Sequence, residues 1–202
     1  MTTFITVAVG KDYSLYLNAA QAKLPDRVVV TTPLPGDMCP NLRVQSRRVK
    51  TNFAAYLPST TDAASPVVLL DADLVFSSAF DPGVFGTLFA AEAVDVLAHP
   101  YRGKWKTHKM PWPLRSMPFD PEQNWHNSGV VAFKNLATAQ QFSAAWRAQY
   151  AAVPYSDRDE YSFGLALTAT KLVVAPLANE LNSFQQSGAL IWHDSARKFK
   201  GN

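Results

Sequence analysis

Cysteine is almost absent from this chain. Cys39 is the only one in 202 residues, which excludes an internal disulfide framework and a multi-cysteine metal centre. Long apolar runs are missing too: no stretch approaches the roughly 20 residues needed to cross a bilayer, so membrane insertion is not expected. The first residues carry neither a basic leader nor an apolar segment with a cleavage site, and the expectation is a soluble, cytoplasmic protein. Charge of one sign is scarce. Nineteen Lys and Arg against 16 Asp and Glu leave a net +3, a balance that accommodates an anionic ligand without demanding one. There is no internal repeat, low-complexity tract or linker, and no sign of an obligate protein partner. What the chain does have is a core: 48% of its residues are hydrophobic and 17% charged, which excludes wholesale disorder. Its length suits one domain spanning residues 1–202.

Apolar and β-branched runs predict strands at Phe4–Val9, Arg27–Thr32, Val67–Leu70, Val94–Ala98, Val130–Phe133 and Lys171–Ala175, with a further short strand at Leu42–Gln45. Helices are expected from Asp12 to Leu24, around Phe53–Leu57, after an Asn135 cap, and from a Ser156/Asp159 capping box. Residues 101–121 read as a long loop, and an irregular tail follows Ala175. Strands alternating with helices imply an α/β fold, a mostly parallel central sheet flanked by helices, with ligands at the carboxyl ends of its strands.

The most informative segment is Val67-Val68-Leu69-Leu70-Asp71-Ala72-Asp73. A strand apolar on both faces, as a central parallel strand is, ends in two carboxylates. On a strand, residues i and i+2 share a face roughly 6.6 Å apart, at about 3.3 Å rise per residue. Carboxylates so placed can converge on one divalent cation, and hard oxygen donors favour magnesium, manganese or calcium over zinc. The plain alternative is a pair of solvated aspartates opening a turn. Two chemistries use the pattern. One is metal-dependent transfer from a nucleotide sugar. The other is a phosphatase of the haloacid dehalogenase type, whose first motif Asp71-Ala72-Asp73-Leu74-Val75 matches. That phosphatase also needs a late acidic pair after an apolar strand, where this chain has Pro176-Leu177-Ala178.

Three further segments bear on the choice. In Trp125-His126-Asn127-Ser128-Gly129-Val130, Asn127 and Ser128 offer hydrogen bonds to sugar hydroxyls and Gly129 permits a close backbone approach. Asp157-Arg158-Asp159-Glu160 opens a helix, where acids are favoured by the dipole alone. Ile191-Trp192-His193 supplies a candidate third metal ligand, followed by Arg197 and Lys198, which can neutralise a diphosphate.

This set, in this order, resembles the GT-A-fold glycosyltransferases, most closely the glycogenin and bacterial lipopolysaccharide galactosyltransferase group. Those enzymes carry an Asp-x-Asp after an apolar strand, an Asn-Ser-Gly, an Asp-Gln-Asp-like helix start and a late His with basic residues. The resemblance implies a GT-A (Rossmann-like) domain and a retaining hexosyltransferase that uses a nucleotide-diphosphate sugar, UDP-linked in this group. It implies that Asp71, Asp73 and His193 hold manganese (or magnesium) against the diphosphate, with Arg197 and Lys198 beside it. Asp12 and Tyr13 would lie near the base and ribose, and Arg47 and Lys50 would face the donor. The candidate catalytic set is Asp157, Asp159 and Asn127, either aspartate being able to serve as base in an inverting enzyme. The group's usual Lys-Pro-Trp after the His is replaced here by Ala196-Arg197-Lys198-Phe199.

The acceptor is bounded by the stretch Tyr101–Arg115. Five cations there alternate with Trp105 and Trp112, and there is no acid. Tryptophan among cations can stack on sugar rings, or stack on bases while Lys and Arg meet phosphates. The acceptor expected is therefore a glycan or a hydroxylated base in DNA. A reading from another class is a non-catalytic nucleic-acid-binding module.

Overall fold

The computed structural model describes residues 1–9, 23–24, 26–100, 126–152 and 159–194. Most of the expected first helix, the 101–121 loop, Ser156 and the basic tail lie outside them. Six strands form the main sheet in the order β2-β1-β3-β6-β5-β7. They are β1 (Thr3–Val7), β2 (Val28–Val30), β3 (Val67–Asp71), β5 (Val96–Pro100), β6 (His126–Phe133) and β7 (Val174–Pro176). β1 pairs in parallel with β2 and β3, and β5 with β7, while β6 runs antiparallel to both its neighbours. The sheet is mixed and mostly parallel, and among the described residues four helices flank it: α1 (Leu42–Thr51), α2 (Val84–Ala91), α3 (Leu136–Ala152) and α4 (Asp159–Thr170).

β3 shows why the sheet is buried on both sides. Val67 and Leu69 enter a cluster with Phe53, Phe133, Phe142, Trp146 and Phe163, whereas Val68 and Leu70 enter a second with Phe4, Phe85 and Phe89. Each such side chain, fully buried, contributes roughly 1.5–3 kcal/mol. α1, α3 and α4 cover the first face and α2 the second. Asp71, at the end of β3, continues the Val67–Leu69 series and so points toward α1 and α4.

Four local expectations are corrected. Leu42–Gln45 is the start of a helix, not a strand: the Asn41 side chain accepts hydrogen bonds from the N–H groups of Arg43 and Val44 and caps ten helical residues, and Phe53–Tyr56 adds only a 3-10 turn. The inward positions of α1 are Gln45, Val49 and Thr51, too polar to show a helical apolar stripe. Val84–Ala91, assigned no element from sequence, is a helix that buries Phe85 and Phe89 at i and i+4. The tail after Ala175 is not irregular throughout. Asn179–Leu181 is a 3-10 turn, and β8 (Ile191–His193) pairs antiparallel with β4 (Leu74–Phe76). No helix among the described residues is long and apolar enough to cross a membrane.

Candidate functional site

Backbone pairing assembles the site. Asp73 does not stand on the strand with Asp71; it lies in the turn joining β3 to β4. Leu74 pairs with His193 across β4 and β8, and Asp194 N–H donates to the Asp73 carbonyl at 2.9 Å. The imidazole of His193 thereby arrives beside the Asp73 carboxylate, Nδ1 to Oδ1 at 3.3 Å. Ligand atoms of Asp71, Asp73 and His193 all lie within 4.8 Å of one another. Asp73 and His193 are buried, at 3% and 6% exposure, and Asp71 is half-buried. Two carboxylates and an imidazole, converging from a strand end, a turn and a second small sheet, form a donor set suited to a divalent cation.

Beside this corner sits a buried ammonium. Lys50, in the last turn of α1, places Nζ 2.6 Å from Asp71 Oδ1, 2.8 Å from Asp159 Oδ2 and 2.9 Å from Ser128 Oγ. Its three N–H bonds are thus all spent. Ser128 passes its own proton to Asp159 Oδ2 at 3.1 Å. Burial alone would pull the Lys50 pKa down, but Asp159 and then Asp71 outweigh it and hold the ammonium well above its ordinary range. Burial likewise opposes the charge of Asp159, and Lys50 followed by Arg47 overcomes it, so that its carboxyl titrates below the usual range. Arg47 Nε lies 3.8 Å from Asp159 Oδ1, and its buried Nη1 has no hydrogen-bond partner among the described residues. Trp146 secures the start of α4 by donating from Nε1 to Ser162 Oγ at 3.0 Å and to the Asp159 carbonyl at 3.3 Å.

The Asn-Ser-Gly triplet lies inside β6 rather than ahead of the strand. Ala98 of β5 pairs with Val131, but His99 pairs with Asn127, so the register slips there. Such a bulge re-aims side chains: Ser128 reaches Lys50, and Gly129 meets His193. Asn127 Oδ1 accepts from Gly129 N–H at 2.7 Å and from Asn182 Nδ2 at 3.1 Å. Asn182, 1% exposed, in turn faces His193 Nε2 through Oδ1 at 3.0 Å. Phe184 stacks on the imidazole, centroids 4.7 Å apart.

Of the residues singled out from sequence, Arg47, Lys50, Asp71, Asp73, Asn127, Ser128, Gly129, Asp159 and His193 therefore gather in one region. Asp12, Tyr13, Trp105, Trp112, Asp157, Arg197 and Lys198 lie outside the described residues. Sequence reasoning missed Asn182 and Phe184. Both sit in an aperiodic stretch beside a 3-10 turn, and their role depends on a pairing with residues of β6 and β8 that no local pattern signals.

The arrangement of strands and helices decides the comparison with known structures. The fold is GT-A. A mouse xyloside xylosyltransferase 1 in its apo form matches over 98% of this chain and 99% of its own, with a TM-score of 0.57 and 12% identity. The galactosyltransferase LgtC, in complex with donor and acceptor sugar analogues, matches over 96% and 86%, with a TM-score of 0.51 and 14% identity. A glycosyltransferase involved in glycosylation of the major capsid of PBCV-1 matches over 96% and 92%, with a TM-score of 0.56 and 12% identity. No family model matches the sequence, and no curated protein matches it. In these GT-A structures the likeness spans nearly the whole of the present chain, and it does not favour the phosphatase alternative.

Proposed function

We propose that this chain is a metal-dependent glycosyltransferase that moves a hexose from a nucleotide-diphosphate sugar, a UDP-sugar in the first instance, to a hydroxyl acceptor. The observation that carries the reading is the convergence of Asp71, Asp73 and His193 at the carboxyl end of β3, within a GT-A fold. The donor set fits manganese or magnesium: it is oxygen-rich, with one imidazole, and two buried or half-buried carboxylates side by side call for a cation. A divalent ion there would supply Lewis-acid stabilisation of the charge that grows on the departing diphosphate.

In the transfer, the bond from the anomeric carbon to the diphosphate oxygen breaks and one to the acceptor oxygen forms, through an oxocarbenium-like state, the acceptor's hydroxyl proton leaving with the diphosphate. This chain's residues bind and orient. Lys50 clamps Asp71 and Asp159 together and fixes the direction of the Asp71 carboxylate. Arg47, with a buried N–H group unpartnered among the described residues, is available to a diphosphate oxygen, and in our reading Arg197 and Lys198 join it. Asp12 and Tyr13 are assigned to base and ribose. Asn127 and Ser128 serve as positioning groups rather than proton carriers. Asp159, committed to Lys50, Ser128 and Arg47, is a poor base, which supports a retaining outcome; a base role is left to Asp157. The acceptor is assigned to Trp105 and Trp112 and their neighbouring cations, a glycan or a hydroxylated DNA base.

Incubation with a panel of nucleotide sugars and Mn2+ is the test. Slow release of nucleoside diphosphate, abolished by chelator, is the expected result, and it identifies the donor before the acceptor is known. No release from any donor would sink the reading. Salt-dependent binding to DNA separates the two acceptor classes.

A further inference from the structure

The hydrogen bonds behind the imidazole have a direction that can be read outward from the backbone. Side-chain amides can be turned end for end, but a backbone N–H cannot. Gly129 N–H donates to one atom of the Asn127 amide at 2.7 Å, so that atom is the oxygen. The same oxygen lies 3.1 Å from the Asn182 amide, which must therefore present its NH2 to it. That orientation leaves Asn182 Oδ1 pointing at His193 Nε2, 3.0 Å away. An oxygen acceptor requires a proton on Nε2. Turning Asn182 over would set oxygen against oxygen, and turning Asn127 over would set NH2 against N–H. All three side chains are at least nine-tenths buried, so water cannot substitute for a lost partner.

We infer that Asn182, held by Asn127 and ultimately by the Gly129 backbone, keeps a proton on His193 Nε2 and so turns Nδ1 toward Asp73 and Asp71. The inference rests on the proposed metal-dependent function for its purpose, but not for its geometry. Nδ1 lies 3.3 Å from Asp73 Oδ1, and the bond from Nε2 has ordinary length. Ligating imidazoles characteristically donate their other N–H to an oxygen, which sets tautomer and ring orientation. Here the oxygen is an amide whose polarity is dictated two hydrogen bonds away. Phe184, stacked on the ring, limits its tilt. Asn182 is thus a positioning residue, acting on the cation through His193.

The test is long-range 15N–1H NMR of the metal-free full chain, whose four histidines are resolved by a His193→Gln variant. Expected for His193 is a protonated Nε2. An Nε2 without a proton in the unsubstituted chain overturns the inference, and this arm needs no variant to fold and no metal. In Asn182→Ala the preference for Nε2–H is lost and Mn2+ affinity, followed by EPR of free Mn2+, falls about 10- to 100-fold. In Asn182→Asp, which keeps an oxygen toward Nε2, the Nε2 proton is retained. Asn182→Ala with unchanged tautomer and unchanged Mn2+ affinity also overturns the inference. Failure of the unsubstituted chain to bind Mn2+ at all strikes the proposed function instead, and removes the purpose assigned here to a tautomer that the spectrum reports independently.

Discussion

A Cβ on Gly129 would overlap Cε1 of His193 and stand 2.5 Å from its Nε2. The glycine of the Asn-Ser-Gly triplet is therefore required by an imidazole delivered from β8, a contact that links the middle of the chain to its far end. The sequence reading expected Gly129 to admit a close backbone approach; the partner in that approach is His193.

Gly129→Ala consequently forces the ring away or shifts β6. The expected cost is about 1–3 kcal/mol of stability, as for an overpacked core, and Mn2+ affinity at least about tenfold weaker, since the displaced imidazole loses Asn182. Urea unfolding and Mn2+ titration of the same preparation measure the two effects. An alanine variant with unaltered Mn2+ binding would show that the imidazole is not a ligand.

Asp73→Asn and Asp71→Asn each remove a carboxylate from the proposed cation corner. Turnover is expected to fall at least about a hundredfold, the loss typical of one electrostatic stabiliser, while the far-ultraviolet circular dichroism stays unchanged. A steady-state assay of nucleoside diphosphate release at saturating Mn2+ reports it. Full activity in the double Asn variant would dispose of the metal role.

Lys50→Met leaves Asp71 and Asp159 facing one another without the ammonium between them. Removing one partner from a buried charge cluster costs about 3–5 kcal/mol, so a large fall in Tm is expected. Adding Asp159→Asn to that variant should recover part of it, because one of the two carboxylates left without the ammonium is gone. A double-mutant cycle by thermal unfolding checks the coupling, and strict additivity would contradict it.

Tyr56 supplies a pH signature away from the site. Its hydroxyl donates to Asp37 Oδ2 and accepts from Leu34 N–H, both at 2.8 Å. Burial first, together with the Asp37 carboxylate, pushes its pKa from 10.0 up to about 12. A raised folded pKa means that the contribution is fully present below pH 10 and is lost as pH rises through about 12. The stability difference between the wild type and Tyr56→Phe should therefore be constant up to pH 10 and shrink above it. Denaturant titrations at stepped pH follow this, and a gap that widens above pH 10 would contradict the assignment.

Some of this architecture was legible because its signal is local. Val67–Leu70 announces a strand buried on both faces, and Asp71-Ala72-Asp73 marks the end where the carboxylates gather; Asn135 caps α3 as read, its Oδ1 accepting from Thr138 N–H. α1 was partly misread because its inward face carries Gln45, Thr51 and Lys50, so burial there satisfies charge rather than apolar surface. β4 and β8 were invisible since they lack the consecutive valines that announce β2 and β7 and acquire their identity by pairing, here between Leu74 and His193. The same long-range pairing creates the approach of His193 to Asp73 and hides the role of Asn182. Asp73 reaches the corner through a turn, not through the two-residue period of a strand.

The most direct measurement is anomalous X-ray diffraction from a crystal of the full chain soaked with Mn2+ and UDP. The account predicts a single strong manganese peak within bonding distance of Asp71 or Asp73 carboxylate oxygens and of His193 Nδ1, bridged to the diphosphate. A peak elsewhere, or diphosphate bound with no ion between it and these three side chains, would contradict it.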